Sequence, residues 1–395
     1  MTSLCNNTTK LYAFSFLQKT LFPMAIITLF WKDHIGLSLT RILLLQSIFS
    51  IATVLLEYPS GYVSDRLGYR VALTIASLLG MAGLGIYAVA SSFGQVLAAE
   101  ILLGFSISFI SGSDSALLYE TLKAEGQEQF YSRHEGRMNG FAQTGEAAGA
   151  IFAGVLYAAA PLLPFILQTG VWFLALIITR TMVEPKRELC APLSHLTEAL
   201  RTTRYVFREN RRLRATILLN AVLGMASFYP VWLIQPYMQH AGVPVTWFGP
   251  IWAGANLMVA CGALASHRVT LALGDRRMAL LFIGLIGAGY WGLGLTGGIG
   301  GFLFYYLLTA MRGLRGPMML HHTQKESPSA NRAGILSLQA LSFRLLFAAT
   351  GPLVGKLADA VGVRQTFHLL TYAFLLILPP LAWLFLRNLS GDGER

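Results

Sequence analysis

The fold class that the sequence predicts is an all-α integral membrane protein of twelve transmembrane helices, built as two bundles of six. Three observations predict it. Of 395 residues, 54% are hydrophobic and only 12% are charged, where an ordinary soluble domain carries roughly 25% charged residues. Apolar windows of about 20 residues, long enough to cross a bilayer, recur along the whole chain. A long basic stretch at 183–214 separates those windows into six and six, the organisation of a carrier with two like halves.

Taken in order, the windows fall at 11–31, 41–60, 71–91, 96–119, 138–159, 162–182, 215–237, 246–266, 278–296, 300–320, 334–356 and 366–386. The first contains Lys19, and no small-x-small cleavage pattern follows it, so it reads as a retained span rather than a leader. The expected domains are therefore 1–182, a cytoplasmic linker at 183–214, and 215–395. With the N-terminus in the cytoplasm, 22 of the 30 Lys and Arg residues fall on the cytoplasmic side, four fall outside and four within spans. That bias follows the positive-inside rule and puts both termini in the cytoplasm of a bacterial inner membrane.

The net charge of +11 does not indicate nucleic acid, because the basic residues cap the ends of apolar runs rather than forming a patch on a polar domain. Three scattered cysteines, Cys5, Cys190 and Cys261, match no metal or disulfide spacing. The linker from His195 to Arg214 alternates Leu196, Leu200, Tyr205 and Phe207 with arginines. It reads as an amphipathic helix lying on an anionic leaflet. Gly145, Gly149 and Gly154 in the fifth span, and Gly351 and Gly355 in the eleventh, are expected to let helices approach closely. His321 and His322 are adjacent rather than one helical turn apart, so they read as solvated loop residues and not as metal ligands.

Charges inside a span are the informative residues, since each is costly in lipid unless paired or wetted. Lys19, Asp114, Glu146, Arg312 and Arg344 lie in the first, fourth, fifth, tenth and eleventh spans. At 1.5 Å per residue they all fall roughly 7 to 15 Å from the cytoplasmic face, which implies one shared polar layer. Asp114 or Glu146 can exchange a proton there, or Lys19 and Asp114 can form a permanent structural ion pair. Walker, H-E-x-x-H and G-x-S-x-G patterns are absent from the sequence, so neither an ATP-driven pump nor a hydrolase is indicated, and no cofactor is expected.

Between the second and third windows the chain reads Glu57-Tyr58-Pro59-Ser60-Gly61-Tyr62-Val63-Ser64-Asp65-Arg66-Leu67-Gly68-Tyr69-Arg70. The spacing G-x-x-S-D-R-x-G-x-R resembles the helix 2–3 loop of the major facilitator superfamily, in particular its drug or metabolite:proton antiporter-like members. Gly355 to Gly362 is similar to the turn after the eleventh helix of facilitator exporters, and Ser113 to Glu120 to a fourth-helix signature of bacterial members. One departure stands out. Glu100-Ile101-Leu102-Leu103-Gly104 puts an acid where antiporters place an arginine.

The resemblance implies pseudo-two-fold symmetry, a central cavity lined by helices 1, 4, 7 and 10, and helices 5 and 11 at the seam between the halves. Carried over, it makes Gln18, Lys19, Asp114, Asn220, Tyr229, Gln235 and Arg312 pocket residues, with Glu146 and Arg344 beside the seam. It makes Glu57, Gly61, Asp65, Arg66, Gly68 and Arg70 a cytoplasmic gate. The expected function is proton-coupled export of a small organic compound by a monomeric carrier embedded in lipid. The alternatives are transport of an anionic solute, for which Lys19, Arg312 and Arg344 speak, and a non-transporting receptor or assembly factor.

Overall fold

The computed structural model describes residues 6–185, 201–328 and 331–389. Among them every regular element is a helix: α1 (Asn7–Lys19), α2 (Leu39–Leu67), α3 (Tyr69–Tyr87), α4 (Phe93–Ile110), α5 (Ser113–Ala124), α6 (Tyr131–Ala159) and α7 (Leu163–Thr181) come first. They are followed by α8 (Arg211–His240), α9 (Phe248–Leu295), α10 (Leu303–Lys325), α11 (Arg332–Val361) and α12 (Val363–Leu389). The chain forms two compact units. One comprises residues 6–37, 44–185 and 245–252, the other 38–43, 201–244 and 253–389.

Among the described residues, eight helical stretches are long and apolar enough to cross a membrane. The stretch Val245–Leu295 contains two helices joined at Gly274 (φ 70°, ψ 166°). The helices outside that set are α1, which is only 13 residues long, α6 and α10. These carry Lys19, Glu135 with Glu146, and Arg312 with Arg315.

Two spans that read as continuous in the sequence are broken. The first helix stops at Lys19, and residues 20–26 are irregular before a short helical turn, Ile27–Leu29, and a π-helical turn, Phe30–His34. Pro23 lies in this interruption and has no N–H to continue a helix. The fourth span breaks at Ser111 and Gly112, where Gly112 takes φ 80°. Backbone freed inside a membrane needs a partner from the protein. At the first break the buried Gln168 side chain provides one, its Oε1 accepting from the Phe22 N–H at 3.0 Å.

Conversely, the sequence stretch that reads as a loop after the second window is mostly helix. Helix α2 runs on to Leu67, so Gly61 and Asp65 are helical and the turn reduces to Gly68 (φ 112°, ψ 148°). The same one-glycine join recurs at Gly362 (φ 84°, ψ 158°) between α11 and α12. These backbone conformations are open essentially to glycine alone. Arginine follows two positions later at Arg70, Arg276 and Arg364.

Helix α10 continues to Lys325, which corrects the reading of His321 and His322 as loop residues. His322 is buried, and its Nε2 lies 3.0 Å from Asp275 Oδ1, just past the Gly274 join. The linker also differs from expectation. His195, Leu196 and Leu200 lie outside the described residues. Beyond them, Val206 is fully buried in an apolar cluster with Leu213, Ile217, Ile335 and Leu338, with Tyr205 and Phe207 packed against it. This apolar face is spent on protein, while Arg201, Arg204 and Arg208 stay exposed.

Close approach by small residues is most marked in α6. A Cβ on Gly145 would overlap the Phe16 carbonyl, and one on Gly149 would sit 2.7 Å from the Leu21 nitrogen. Both glycines thus press against the end of α1 and the break that follows it. Gly149→Val should eliminate the monodisperse peak in size-exclusion chromatography, since overpacking costs about 1–3 kcal/mol or more. Gly140→Val, where a Cβ meets nothing within 4 Å, should keep it.

Candidate functional site

The helix breaks place charges at helix ends. Lys19 is the last residue of α1 and Asp114 lies in the first turn of α5. A helix C-terminus favours a cation and an N-terminus an anion, by about 0.3–1 kcal/mol each and more when partly buried. Asp114 Oδ1 accepts from the Ser115 N–H at 2.8 Å, and its charged neighbours are Glu135 and Lys19. Ser115 links the two acids, because its hydroxyl donates to Glu135 Oε1 at 3.0 Å. Asn139 Nδ2 reaches the same oxygen at 3.5 Å, while Glu135 Oε2 is buried without a hydrogen-bond donor. Next to Glu135 on α6, His134 Nδ1 meets Tyr12 Oη at 2.7 Å. Asp114 thus has one carboxylate and one lysine as its charged neighbours.

Of the residues expected here, Lys19 and Asp114 are charged neighbours, though no ion pair joins them among the described residues. Gln18 is half-buried beside Lys19. Glu146 is half-buried and follows Gly145, level with the end of α1. Glu135 and His134 went unnoticed in the sequence because they precede the fifth apolar window and read as loop; the extension of α6 back to Tyr131 puts them on a helix.

Glu100, the departure in the fourth span, is buried in a network of its own. Gln46 Nε2 donates to Glu100 Oε2 at 2.8 Å, Tyr87 Oη donates to Glu100 Oε1, and Trp31 Nε1 donates to Tyr87 Oη at 3.1 Å. Donors from two other spans thus converge on this carboxyl, and Trp31 from a third steadies one of them.

In the second unit, Arg315 is the deeply placed base. Its Nη1 donates to both the backbone and side-chain oxygens of Asn220, at 3.0 Å for the former, and its Nε is buried without an acceptor. Arg312, one turn earlier on α10, is exposed and adds its positive charge to that of Arg315. Arg344 is half-buried on α11. Tyr229 is buried and its hydroxyl donates to Thr350 Oγ1 at 2.7 Å, and Gln235 is also buried in the unit's interior. Its position in the middle of a 23-residue helix is what makes Arg315 interior.

Around the Gly68 join, Glu57, Asp65 and Arg66 are exposed, and Arg66 lies over the Tyr62 ring at 5.4 Å. Glu184 supplies an acid that the sequence reading overlooked. Its two carboxylate oxygens accept from the Tyr69 and Arg70 N–H groups at 2.9 and 2.8 Å, capping α3. A Cβ at Gly68 would come within 2.9 Å of that carboxylate, so glycine is required there twice over. Arg70 Nη2 in turn donates to the Arg180 carbonyl at the end of α7, 2.8 Å away.

This arrangement has a counterpart. Gly61, Asp65, Gly68 and Arg70 share their spacing with Gly355, Asp359, Gly362 and Arg364. In the second copy the Asp359 carboxylate accepts from the Leu39 N–H at 2.8 Å, the Thr40 N–H at 2.9 Å and the Thr40 hydroxyl, capping α2. Arg364 Nη2 donates to the Leu295 carbonyl at 2.9 Å, at the end of α9. Asp65 lies in the last turn of α2 and Asp359 in the last turn of α11.

The sequence profile of the Major Facilitator Superfamily matches residues 11–343. The chain belongs to the major facilitator superfamily. It is accordingly an integral membrane transporter and not an enzyme. A relative from Cupriavidus pinatubonensis (strain JMP 134 / LMG 1197), described as a probable 4-methylmuconolactone transporter, is 24% identical over 416 residues, covering 94% of this chain and 88% of that protein. Among solved facilitator structures, the nucleoside transporter NupG superposes with a TM-score of 0.79 at 14% identity, covering 98% of this chain and 99% of that one. A bacterial homologue of the human lysosomal transporter Spinster gives 0.76 at 15% identity, with 98% and 97% covered. At such identities the likeness is one of fold.

Glu100→Ala should lower the midpoint of thermal unfolding in detergent, because it strands the Tyr87 hydroxyl and the Gln46 amide at about 1–3 kcal/mol each. Glu100→Gln, which keeps a carbonyl oxygen for Tyr87, should lose less than half as much.

Proposed function

We propose that this facilitator is a secondary active transporter of a small organic compound, driven by protons and working by alternating access. The observation that carries the reading is the Lys19–Asp114–Ser115–Glu135 cluster at the two broken spans of the first unit. Two carboxylates bridged by Ser115 repel each other, with Lys19 the cation that acts on Asp114, and a proton relieves that repulsion without any new counter-ion. Interrupted helices in transporters also mark coupling-ion and substrate sites, since half-helix ends bring fixed partial charges to them. The relative described as a probable 4-methylmuconolactone transporter supports a small organic solute. Lys19, Gln18, Asp114 and Glu146 supply the pathway in the first unit, and Asn220, Tyr229, Gln235, Arg312 and Arg344 in the second.

Gating follows from the repeated ten-residue pattern. Carboxylates resting on helix N-termini hold by charge and hydrogen bonding and release without breaking a covalent bond, which suits a latch that must open in every cycle. Asp65 serves the cytoplasmic face, with Glu57, Arg66 and Arg70 around it, and Asp359 the opposite face. Both termini lie in the cytoplasm, the chain works as a monomer in the bacterial inner membrane, and transport proceeds outward.

In proteoliposomes, Asp114→Asn and Glu135→Gln should each abolish solute accumulation driven by a pH gradient while sparing solute–solute counterflow. Loss of both activities together, or of neither, would remove the proton role. Cysteine-accessibility labelling tests the gates: Asp65→Asn should raise labelling of cytoplasmic-side reporters and Asp359→Asn that of reporters on the other face. Identical labelling patterns for the two variants would refute the paired-latch reading.

A further inference from the structure

The described part of the second unit contains four acids, and each is engaged away from the deep arginines. Glu209 pairs with Arg204 at 3.6 Å, Glu326 with Arg212 at 3.5 Å and Asp275 with His322 at 3.0 Å. Asp359 caps α2. Arg315 therefore carries its charge inside a membrane helix with no carboxylate partner within its own unit. A lone cation at that depth is costly, so its retention calls for an anion that arrives from elsewhere.

The local geometry says what kind of anion. One edge of the guanidinium is fixed, with Nη1 held by both oxygens of Asn220. The other edge, Nε with Nη2, makes no hydrogen bond to any described residue, and Nε is buried. That edge presents two parallel N–H groups, the fork that accepts a carboxylate in bidentate fashion. Asn220, Gly224 and Phe228 recur every four residues along one face of α8. A Cβ on Gly224 would meet the Phe343 ring at 3.0 Å and Arg315 Nη1 at 3.3 Å, so the glycine makes room for the guanidinium beside that ring. Phe228 packs edge-on against Phe343 and Phe347, with centroids 5.3 and 4.8 Å away. The charged fork thus adjoins an aromatic wall.

We infer that Arg315, positioned by Asn220 and reinforced by the field of Arg312, is the anchor for the carboxylate of an organic monoacid whose apolar body lies against the phenylalanines. This narrows the substrate class of the transport function proposed above and rests on that reading. The acid enters as its anion, and the proton moves separately through the first unit's carboxylates.

Isothermal titration calorimetry on the purified full-length protein in detergent tests it with acetate, benzoate and phenylacetate, against neutral benzamide, cationic benzylamine and inorganic phosphate. The expected order is benzoate or phenylacetate tightest, acetate weaker, and no heat from benzamide or benzylamine. Arg315→Gln should weaken benzoate on the order of 10- to 100-fold, the loss of one charge-assisted bidentate pair. Arg315→Lys should fall between the two, because a point charge replaces the fork, and Asn220→Ala should weaken benzoate by less than Arg315→Gln. Binding of benzamide as tight as benzoate, preference for phosphate, no binding of any carboxylate, or unaltered benzoate affinity in Arg315→Gln would each overturn the assignment. If Arg315→Gln does not yield folded protein, the wild-type preference for benzoate over benzamide and the Arg315→Lys affinity decide. Benzoate binding without flux of any solute in proteoliposomes would sink the transport reading alone. Flux of a neutral solute that Arg315→Gln leaves untouched would sink the anion site alone.

Discussion

A helix end inside or beside lipid must find a partner for its unpaired N–H or C=O groups, and this protein meets that demand with side-chain charge. Asp114 stands at the start of α5, Glu184 at the start of α3 and Asp359 at the start of α2. Lys19 ends α1, while Arg70 and Arg364 donate to the last carbonyls of α7 and α9. Acids at N-termini and bases at C-termini are the stabilising combination. In a low-dielectric medium that preference counts for more than it does in water. The positions of the charges, the breaks in the spans and the glycine joins all answer to this one requirement.

The two units handle their deep charges differently. In the first, acids outnumber bases: Glu100, Asp114, Glu135 and Glu146 share the helical interior with Lys19. Glu100 is satisfied by neutral donors, so it is a locking group between spans, whereas Glu135 keeps one carboxylate oxygen without a donor. In the second unit the balance reverses, with Arg312, Arg315 and Arg344 on α10 and α11 and every described acid committed elsewhere. The proposed division of labour, proton uptake in one unit and anion binding in the other, follows this difference in charge. A fold made of two like bundles lets those tasks diverge without altering the scaffold.

Glycine completes the construction in two ways. At Gly68, Gly274 and Gly362 it supplies backbone angles that side-chain-bearing residues avoid, letting one span follow another with a single residue between them. Along α6 and α8 it removes bulk, bringing α6 against the backbone of α1 and giving Arg315 its place beside Phe343. Short joins and close contacts also keep the charged pairs in register, since a long loop would not fix Glu184 over the start of α3.

The amino-acid sequence by itself determined the membrane setting, the twelve-span plan and the facilitator motif at 61–70, because lipid imposes length and composition on each span independently of its neighbours. It also singled out Lys19 and Asp114, which are conspicuous as charges in apolar runs. Glu135, His134 and Glu184 escaped because they lie outside such runs, and their roles depend on helices distant in sequence. Arg315 lies in the same apolar window as Arg312, but only the packing of α10 against Asn220 of α8 shows its part. The matching spacing at 355–364 was present in the letters; only the Asp359 contact with α2, some 320 positions earlier, gave it meaning. Which charges find partners is a property of helix packing, and packing is what a linear pattern of apolar and polar residues leaves undetermined.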